Sequence, residues 1–165
     1  SDFFSWNILL SKYGLEIRQK RIKYLEQLNL VFSEVYHSIV DNDDFVSLKL
    51  ELFGGEISEA EYFNRLESEL QRDLVLGHTG FGIHRDDFVF LFNGEGADGT
   101  ASRGELRSMI LAMKFIEAEL IFQETGKRPV VLLDDVFSEL DNMRQKSLVK
   151  NFKENQVIIT SVEEV

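Results

Sequence analysis

The chain reads as an α/β protein, and three observations carry that reading. Apolar residues recur at helical spacing in several long segments; a short continuous apolar run, Val130-Val131-Leu132-Leu133, follows Pro129; and a helix-like segment leads from it to a second apolar run at Val157-Ile158-Ile159-Thr160. Strand, helix and strand in that order form a βαβ unit, with parallel strands and a right-handed connection. The 165 residues, 44% of them hydrophobic, suffice for one ordinary domain or two small lobes, and disorder is not expected.

From Glu16 to Val40 the residues Leu25, Leu28, Phe32, Val35 and Ile39 step by three and four, which places one stripe on a helix. Basic Lys20, Arg21 and Lys23 share that segment. Asp41-Asn42-Asp43-Asp44 then breaks the pattern as a turn; it lacks the glycine and terminal glutamate of a calcium loop. Phe45, Val46, Leu48, Leu50 and Leu52 alternate in part and predict a strand that ends at Gly54-Gly55. Ser58 and Glu61 have the spacing of a capping box, so a helix is expected from about Glu59 to Leu76. His37 and His78 read as structural or exposed.

Gly77 to Gly82 reads as a connector, followed by a buried strand Asp87 to Phe92 closed by the turn Asn93-Gly94. Phe88, Phe90 and Phe92 fall on one face of that strand and read as core. Glycines at 94, 96, 99 and 104 precede a helix carrying Leu106, Met109, Ile110, Leu111, Met113, Phe115, Ile116 and Leu120, which leaves little polar face and predicts burial. That helix stops at Thr125-Gly126. The run from Val130 has the continuous apolar character of a central parallel strand, a helix is expected from Asn142 to Lys153, and Val157 to Thr160 forms the last strand. The resulting division is a mainly helical lobe with at least one strand over 1–76 and an α/β lobe over 77–165.

Composition narrows the function. Lys and Arg total 18 against 29 Asp and Glu, a net charge of -11, so the summed field repels a phosphate backbone and disfavours nonspecific DNA binding by the chain alone. The absence of cysteine excludes disulfides, thiolate metal sites and cysteine nucleophiles. No apolar run is long enough to span a bilayer and no basic-then-apolar signal opens the sequence, so a cytoplasmic protein without membrane attachment is expected. The chain begins without methionine and ends Glu163-Glu164-Val165, as expected of a processed or cut fragment.

The sharpest chemical feature is the strand ending in Asp134-Asp135. Successive strand side chains leave on opposite faces, so the two acids can serve different roles. Asp134 suits a magnesium ion, which binds through one or two carboxylates plus substrate phosphates, and Asp135 suits the orientation of an attacking water. A solvated loop before an acidic helix start is the plain structural alternative. Ser102, Arg103 and Gly104 sit just before the long helix, where unpaired N-H groups, the helix dipole and a guanidinium favour an anion. A serine N-cap beside a surface arginine is the plain alternative there. The phosphate-cradling pattern Gly-x-x-x-x-Gly-Lys-[Ser/Thr] does not occur; the single Gly-Lys, Gly126-Lys127, is followed by Arg128.

Three stretches in order, Gly82-Ile83-His84-Arg85-Asp86-Asp87, Ala101-Ser102-Arg103-Gly104 with its helix, and Leu132 through Asp141 (LLDDVFSELD), together resemble the ABC-type ATPases and, among them, the RecF family of recombination and repair proteins. The resemblance covers Gly82 to Thr160 and implies the C-terminal part of an ABC-type, P-loop NTPase-like ATPase head, preceded by a mainly helical arm lobe. It implies ATP and Mg2+ as cofactors, with Asp134 as the Walker B metal ligand and Asp135 as the catalytic carboxylate. Ser102, Arg103 and Gly104 become the signature motif that touches nucleotide on the opposite subunit, and Ser138 and Asp141 line the seam of an ATP-dependent homodimer. The implied partners are DNA at gaps and single-strand/double-strand junctions, RecO-like and RecR proteins, and RecA, which is directed onto gapped DNA.

The phosphate loop of such proteins lies upstream of the arm lobe, so this chain alone is not expected to hydrolyse ATP. Ile83 replaces the family's usual proline and Glu105 its usual glutamine, and no histidine follows the last strand. His84 to Asp87 would diverge on a strand rather than converge on a metal; anchoring near the signature segment is the role expected of them. Another SMC-like ATPase head is a rival, although sustained heptads are absent. A non-enzymatic interaction module that kept the fold and lost the nucleotide is the other.

Overall fold

The computed structural model describes residues 2–134 and 140–160. The elements are α1 (Asp2–His37), β1 (Val46–Glu51), α2 (Glu59–Leu76), a 3-10 turn (Ile83–Arg85), β2 (Asp87–Phe92), β3 (Glu95–Gly96), α3 (Ala97–Thr100), α4 (Arg103–Thr125), β4 (Val131–Asp134), α5 (Asn142–Asn151) and β5 (Val157–Thr160). Among the described residues one sheet has the order β1-β2-β3 and a second pairs β4 with β5. By contacts the chain divides into two compact units, Ser1–Gln27 with Leu48–Val89 and Leu28–Ser47 with Phe90–Val165.

The first unit is built around Tyr62, Leu66 and Phe81, with Leu15, Ile57 and Ile83 packed against them. The rings of Tyr62 and Phe81 lie 4.8 Å apart, within the range where aromatic pairs add to simple area burial. The capping box that opens α2 forms as the sequence predicts: Glu61 N donates to Ser58 Oγ at 3.2 Å, and Ser58 N donates to Glu61 Oε2 at 2.8 Å. Gly77 ends the helix at φ 74°, a left-handed conformation that a Cβ disfavours.

Helix α1 begins at Asp2, fourteen residues before the segment that periodicity marks out. The reason lies in its buried face. Over the first half of the helix, Asn7, Ser11, Gly14 and Arg18 are the buried positions, whereas Phe3, Trp6, Leu10, Tyr13 and Ile17 are exposed. A buried stripe of polar and small residues gives no apolar period. Asn7 Nδ2 is satisfied by Glu67 Oε1 at 2.7 Å, and Arg18 by an ion pair described below.

In the second unit, Phe32, Tyr36, Ile39, Met109 and Leu148 are almost wholly buried, and the rings of Phe115 and Phe152 meet edge to face at 4.5 Å. Asn93 (φ 52°) and Gly94 (φ 89°) supply the two positive φ values of a tight two-residue hairpin. The turn joins β2 to the short β3, which the sequence does not announce. Asn93 Oδ1 also accepts from Phe45 N at 2.9 Å. Only Phe92 of the three strand phenylalanines is buried, and Phe88 is 45% exposed.

Strands β4 and β5 run parallel in the register Val131↔Val157 to Asp134↔Thr160, as the βαβ reading requires. The strand starts one residue after Val130, and α5 ends at Asn151 rather than Lys153. The expected coverage of the strand faces and of α4 is only partial: Leu133 is buried, Leu132 is 71% exposed, and Ile110 and Ile121 of α4 are exposed. A groove of about 670 Å³ runs between α4 and β4, lined by Ile110, Leu111, Ile121, Val131, Leu133 and Phe152 among others.

Candidate functional site

At the end of β4 the chain delivers Asp134 to the C-terminal edge of a parallel strand pair, the edge where open α/β sheets hold their ligands. Thr160, its register partner on β5, donates through Oγ1 to Asp134 Oδ1 at 2.5 Å. That bond fixes the carboxylate of an otherwise exposed residue. An oriented, exposed carboxylate is the kind of hard oxygen donor that magnesium takes, one or two per site. Asp135 and Ser138 lie outside the described residues. Among the described residues no cluster of three or more His, Asp or Glu could hold a metal ion.

The N-terminus of α4 carries the next three candidates. Ser102 is its N-cap, at φ -67° and ψ 162°; Glu105 N donates to Ser102 Oγ at 3.3 Å and Ser102 N donates to Glu105 Oε2 at 2.6 Å. Glu105, an acid beside a candidate anion site, thus spends its carboxylate on the helix cap. Arg103 is exposed and forms no ion pair among the described residues, and Gly104 is half-buried. The amides of Arg103 and Gly104 belong to the first turn, whose N-H groups have no helical acceptor.

Asp141 caps α5, accepting from Arg144 N at 2.9 Å through Oδ1 and from the Arg144 guanidinium through Oδ2. The backbone N-H of Arg144, and then its guanidinium charge, hold the Asp141 carboxyl below the ordinary aspartate value. Arg144 reaches further. Its Nε donates to Ser108 Oγ at 2.6 Å, Ser108 Oγ donates to the Gly104 carbonyl at 2.9 Å, and a Cβ on Gly104 would stand 3.4 Å from Arg144 Nη2. One side chain therefore brings Gly104 and Asp141 into a single hydrogen-bonded group. Sequence reasoning missed Arg144 because an arginine three residues past an N-cap looks like any surface i,i+3 partner.

Residues His84 to Asp87 have a different role from the one the sequence led us to expect. The segment is extended only from Asp86 onward: Ile83–Arg85 form a 3-10 turn, Asp87 opens β2, and only Asp86 turns inward. Its side chain is fully buried against Arg18, itself 3% exposed, with Arg18 Nε and Nη2 donating to the two carboxylate oxygens at 2.8 and 2.6 Å. Phe53 N donates to the same carboxylate at 2.9 Å. The anchor is thus to α1 and to the turn after β1. Arg21, from the basic run on α1, donates to the Ile83 carbonyl at 2.7 Å, while Lys20 pairs with Glu16.

No family model matches the sequence. A DNA replication and repair protein RecF of Clostridium novyi is 35% identical over 153 residues, 92% of this chain and 42% of that protein. The RecF of Clostridium kluyveri is 37% identical over the same shares. A solved structure of the recombination mediator protein RecF with ATP, in the RecFOR pathway, superposes with a TM-score of 0.74 at 32% identity, covering 98% of this chain and 45% of that one. The likeness establishes an α/β fold of ABC-type ATPase character. The chain spans less than half the length of the relatives it matches. Over nearly its whole length it is similar to the C-terminal part of RecF family members.

Proposed function

We propose that this chain carries the signature and Walker B half of a RecF-like ATPase head acting in DNA recombination and repair. The observation that carries the reading is the likeness to the RecF–ATP structure over 98% of the chain. In this reading Asp134, oriented by Thr160, holds Mg2+ and Asp135 orients the attacking water. The segment Ser102, Arg103 and Gly104 binds the terminal phosphate of ATP held on the opposite subunit of a nucleotide-dependent homodimer, with Ser138 and Asp141 along the seam. Residues 1–76 form the arm lobe and 77–165 the ATPase lobe. The remainder of a RecF protein supplies the phosphate loop, and the assembled protein works in the cytoplasm with DNA gaps or junctions, RecO-like and RecR proteins and RecA.

A second reading, a protein-interaction module without nucleotide chemistry, draws support from the α4 N-terminus, where Ser102 and Glu105 cap each other. One experiment separates the two. Magnesium-ATP binding is measured for this chain alone and after mixing with the complementary part of a RecF protein; the ATPase reading expects binding only on mixing. Absence of binding in both samples favours the interaction module. In the assembled protein Asp135→Asn is expected to keep ATP binding and cut turnover, because the charge that orients water is lost while the Asp134 ligand stays.

A further inference from the structure

Arg144 has no role in the reading above, yet its side chain reaches both segments which that reading sets at the nucleotide seam. On one side it binds Asp141 twice, through its backbone N-H at 2.9 Å and through its guanidinium. On the other side Nε donates to Ser108 Oγ at 2.6 Å, and Ser108 is completely buried. The Ser108 hydroxyl in turn donates a hydrogen bond to the Gly104 carbonyl at 2.9 Å. The Arg144 side chain is 18% exposed and Asp141 51%, so the bond to Ser108 forms largely out of water, where geometry is held more tightly than at a solvated surface pair, while the Asp141 side of the group faces solvent. A planar guanidinium with donors on opposite edges can meet both partners at once, whereas an ammonium ion acts as a single point charge.

We propose that Arg144 is a positioning residue for ATP turnover, a clamp that fixes the Ser102–Gly104 segment relative to Asp141 so that signature motif and dimer seam hold one geometry. The proposal rests on the ATPase reading of the preceding subsection. A clamp of this kind acts on the reacting arrangement rather than on ground-state capture of ATP. Its removal therefore lowers kcat and leaves KM nearly unchanged, as misplacement of groups around the chemistry does.

The test uses the assembled RecF protein containing this chain, with magnesium-ATP as substrate, and compares wild type, Arg144→Gln, Arg144→Lys and Ser108→Ala. Arg144→Gln is expected to lower kcat about tenfold or more with KM within about twofold. Arg144→Lys is expected to recover less than half of that loss, because it keeps the charge and loses the two-edged reach. Ser108→Ala, which leaves the Arg144–Asp141 pair in place, is expected to lower kcat in the same direction with the melting temperature within a few degrees of wild type. Normal kcat in Arg144→Gln overturns the proposal, as does full recovery by lysine or a loss that tracks the folded fraction alone. A wild-type protein that neither binds nor hydrolyses ATP overturns the ATPase reading itself and the clamp with it, and only that outcome appears in the wild-type sample.

Discussion

Removing Asp86 tests whether the first unit is held by a desolvated charge pair. The Asp86 side chain is fully buried and that of Arg18 is 3% exposed, so neither charge has water to fall back on. Deleting one member of such a pair leaves the other uncompensated and costs about 3–5 kcal/mol. Arg18 retains the carbonyls of Phe53 at 2.9 Å and Gly55 at 3.4 Å, which offset part of the loss and place Asp86→Ala near the lower end, about 3 kcal/mol. With a urea dependence of about 2 kcal/mol/M, the unfolding midpoint drops by about 1.5 M. Trp6, the only tryptophan of the chain, lies in the same unit and reports the transition by fluorescence, with far-UV circular dichroism as a second probe. Arg21→Ala serves as the comparison. Arg21 stands 3.8 Å from the same carboxylate but is 42% exposed, so its loss is expected to cost below about 1 kcal/mol. Replacing both partners, Arg18→Met with Asp86→Leu, is expected to recover most of the stability because no unpaired charge remains. A midpoint shift below about 0.3 M in Asp86→Ala, or one equal to that of Arg21→Ala, would refute the desolvation argument.

Two cap substitutions separate folding from function. Ser58→Ala and Ser102→Ala each remove the serine of a formed capping box, and each is expected to lower unfolding free energy by about 1 kcal/mol in denaturant titrations. Only Ser102→Ala is expected to weaken ATP turnover in the assembled protein; equal effects on turnover would argue against a nucleotide role for Ser102. Asp141→Ala is expected to cost about 1 kcal/mol at neutral pH through loss of the α5 cap. The folded Asp141 carboxyl titrates below its unfolded value, so its contribution is complete above the unfolded value and is lost as pH falls through the folded one. The gap between wild type and Asp141→Ala, followed by thermal melting, is therefore expected to close in acid, and a gap that persists there counts against the assignment.

Elements whose signals are local were legible. The Ser58–Glu61 box, the Asn93-Gly94 turn and the stop at Gly126 depend on one to four neighbouring residues, and each forms where the sequence places it. The parallel β4–β5 pair was legible because continuous apolar strands on either side of a helix have few other arrangements. What escaped were features decided by distant partners. The first half of α1 buries Asn7 and Arg18 because Glu67 and Asp86 await them across the unit, and no periodicity count contains that information. Arg144 escaped for the same reason: Ser108 reads as one polar residue in an apolar helix until α5 lies beside it. The motif residues themselves stood out, yet Glu105 looked like an intruder at an anion site when its carboxylate belongs to the Ser102 cap.

The composition of β4 carries one more consequence. Alternate strand residues face opposite ways, and in this pair Leu133 is buried while Leu132 is 71% exposed. A leucine on an open strand face gains nothing for the chain by itself, so a continuous apolar run there fits a face that is covered in a longer protein, and the chain spans 45% of the RecF chain on which it superposes. Leu132→Asp tests this directly. In the chain alone the substitution replaces one exposed side chain by another and is expected to change unfolding free energy by no more than about 0.5 kcal/mol. On mixing with the complementary part of a RecF protein it introduces an unpaired charge into the joint, and the ATP binding gained on mixing is expected to fall at least tenfold, about 1.4 kcal/mol. A loss of 2 kcal/mol or more in the isolated chain would show that Leu132 already belongs to its core. Undiminished ATP binding on mixing would show that the face stays open, and the apolar run would then need another explanation.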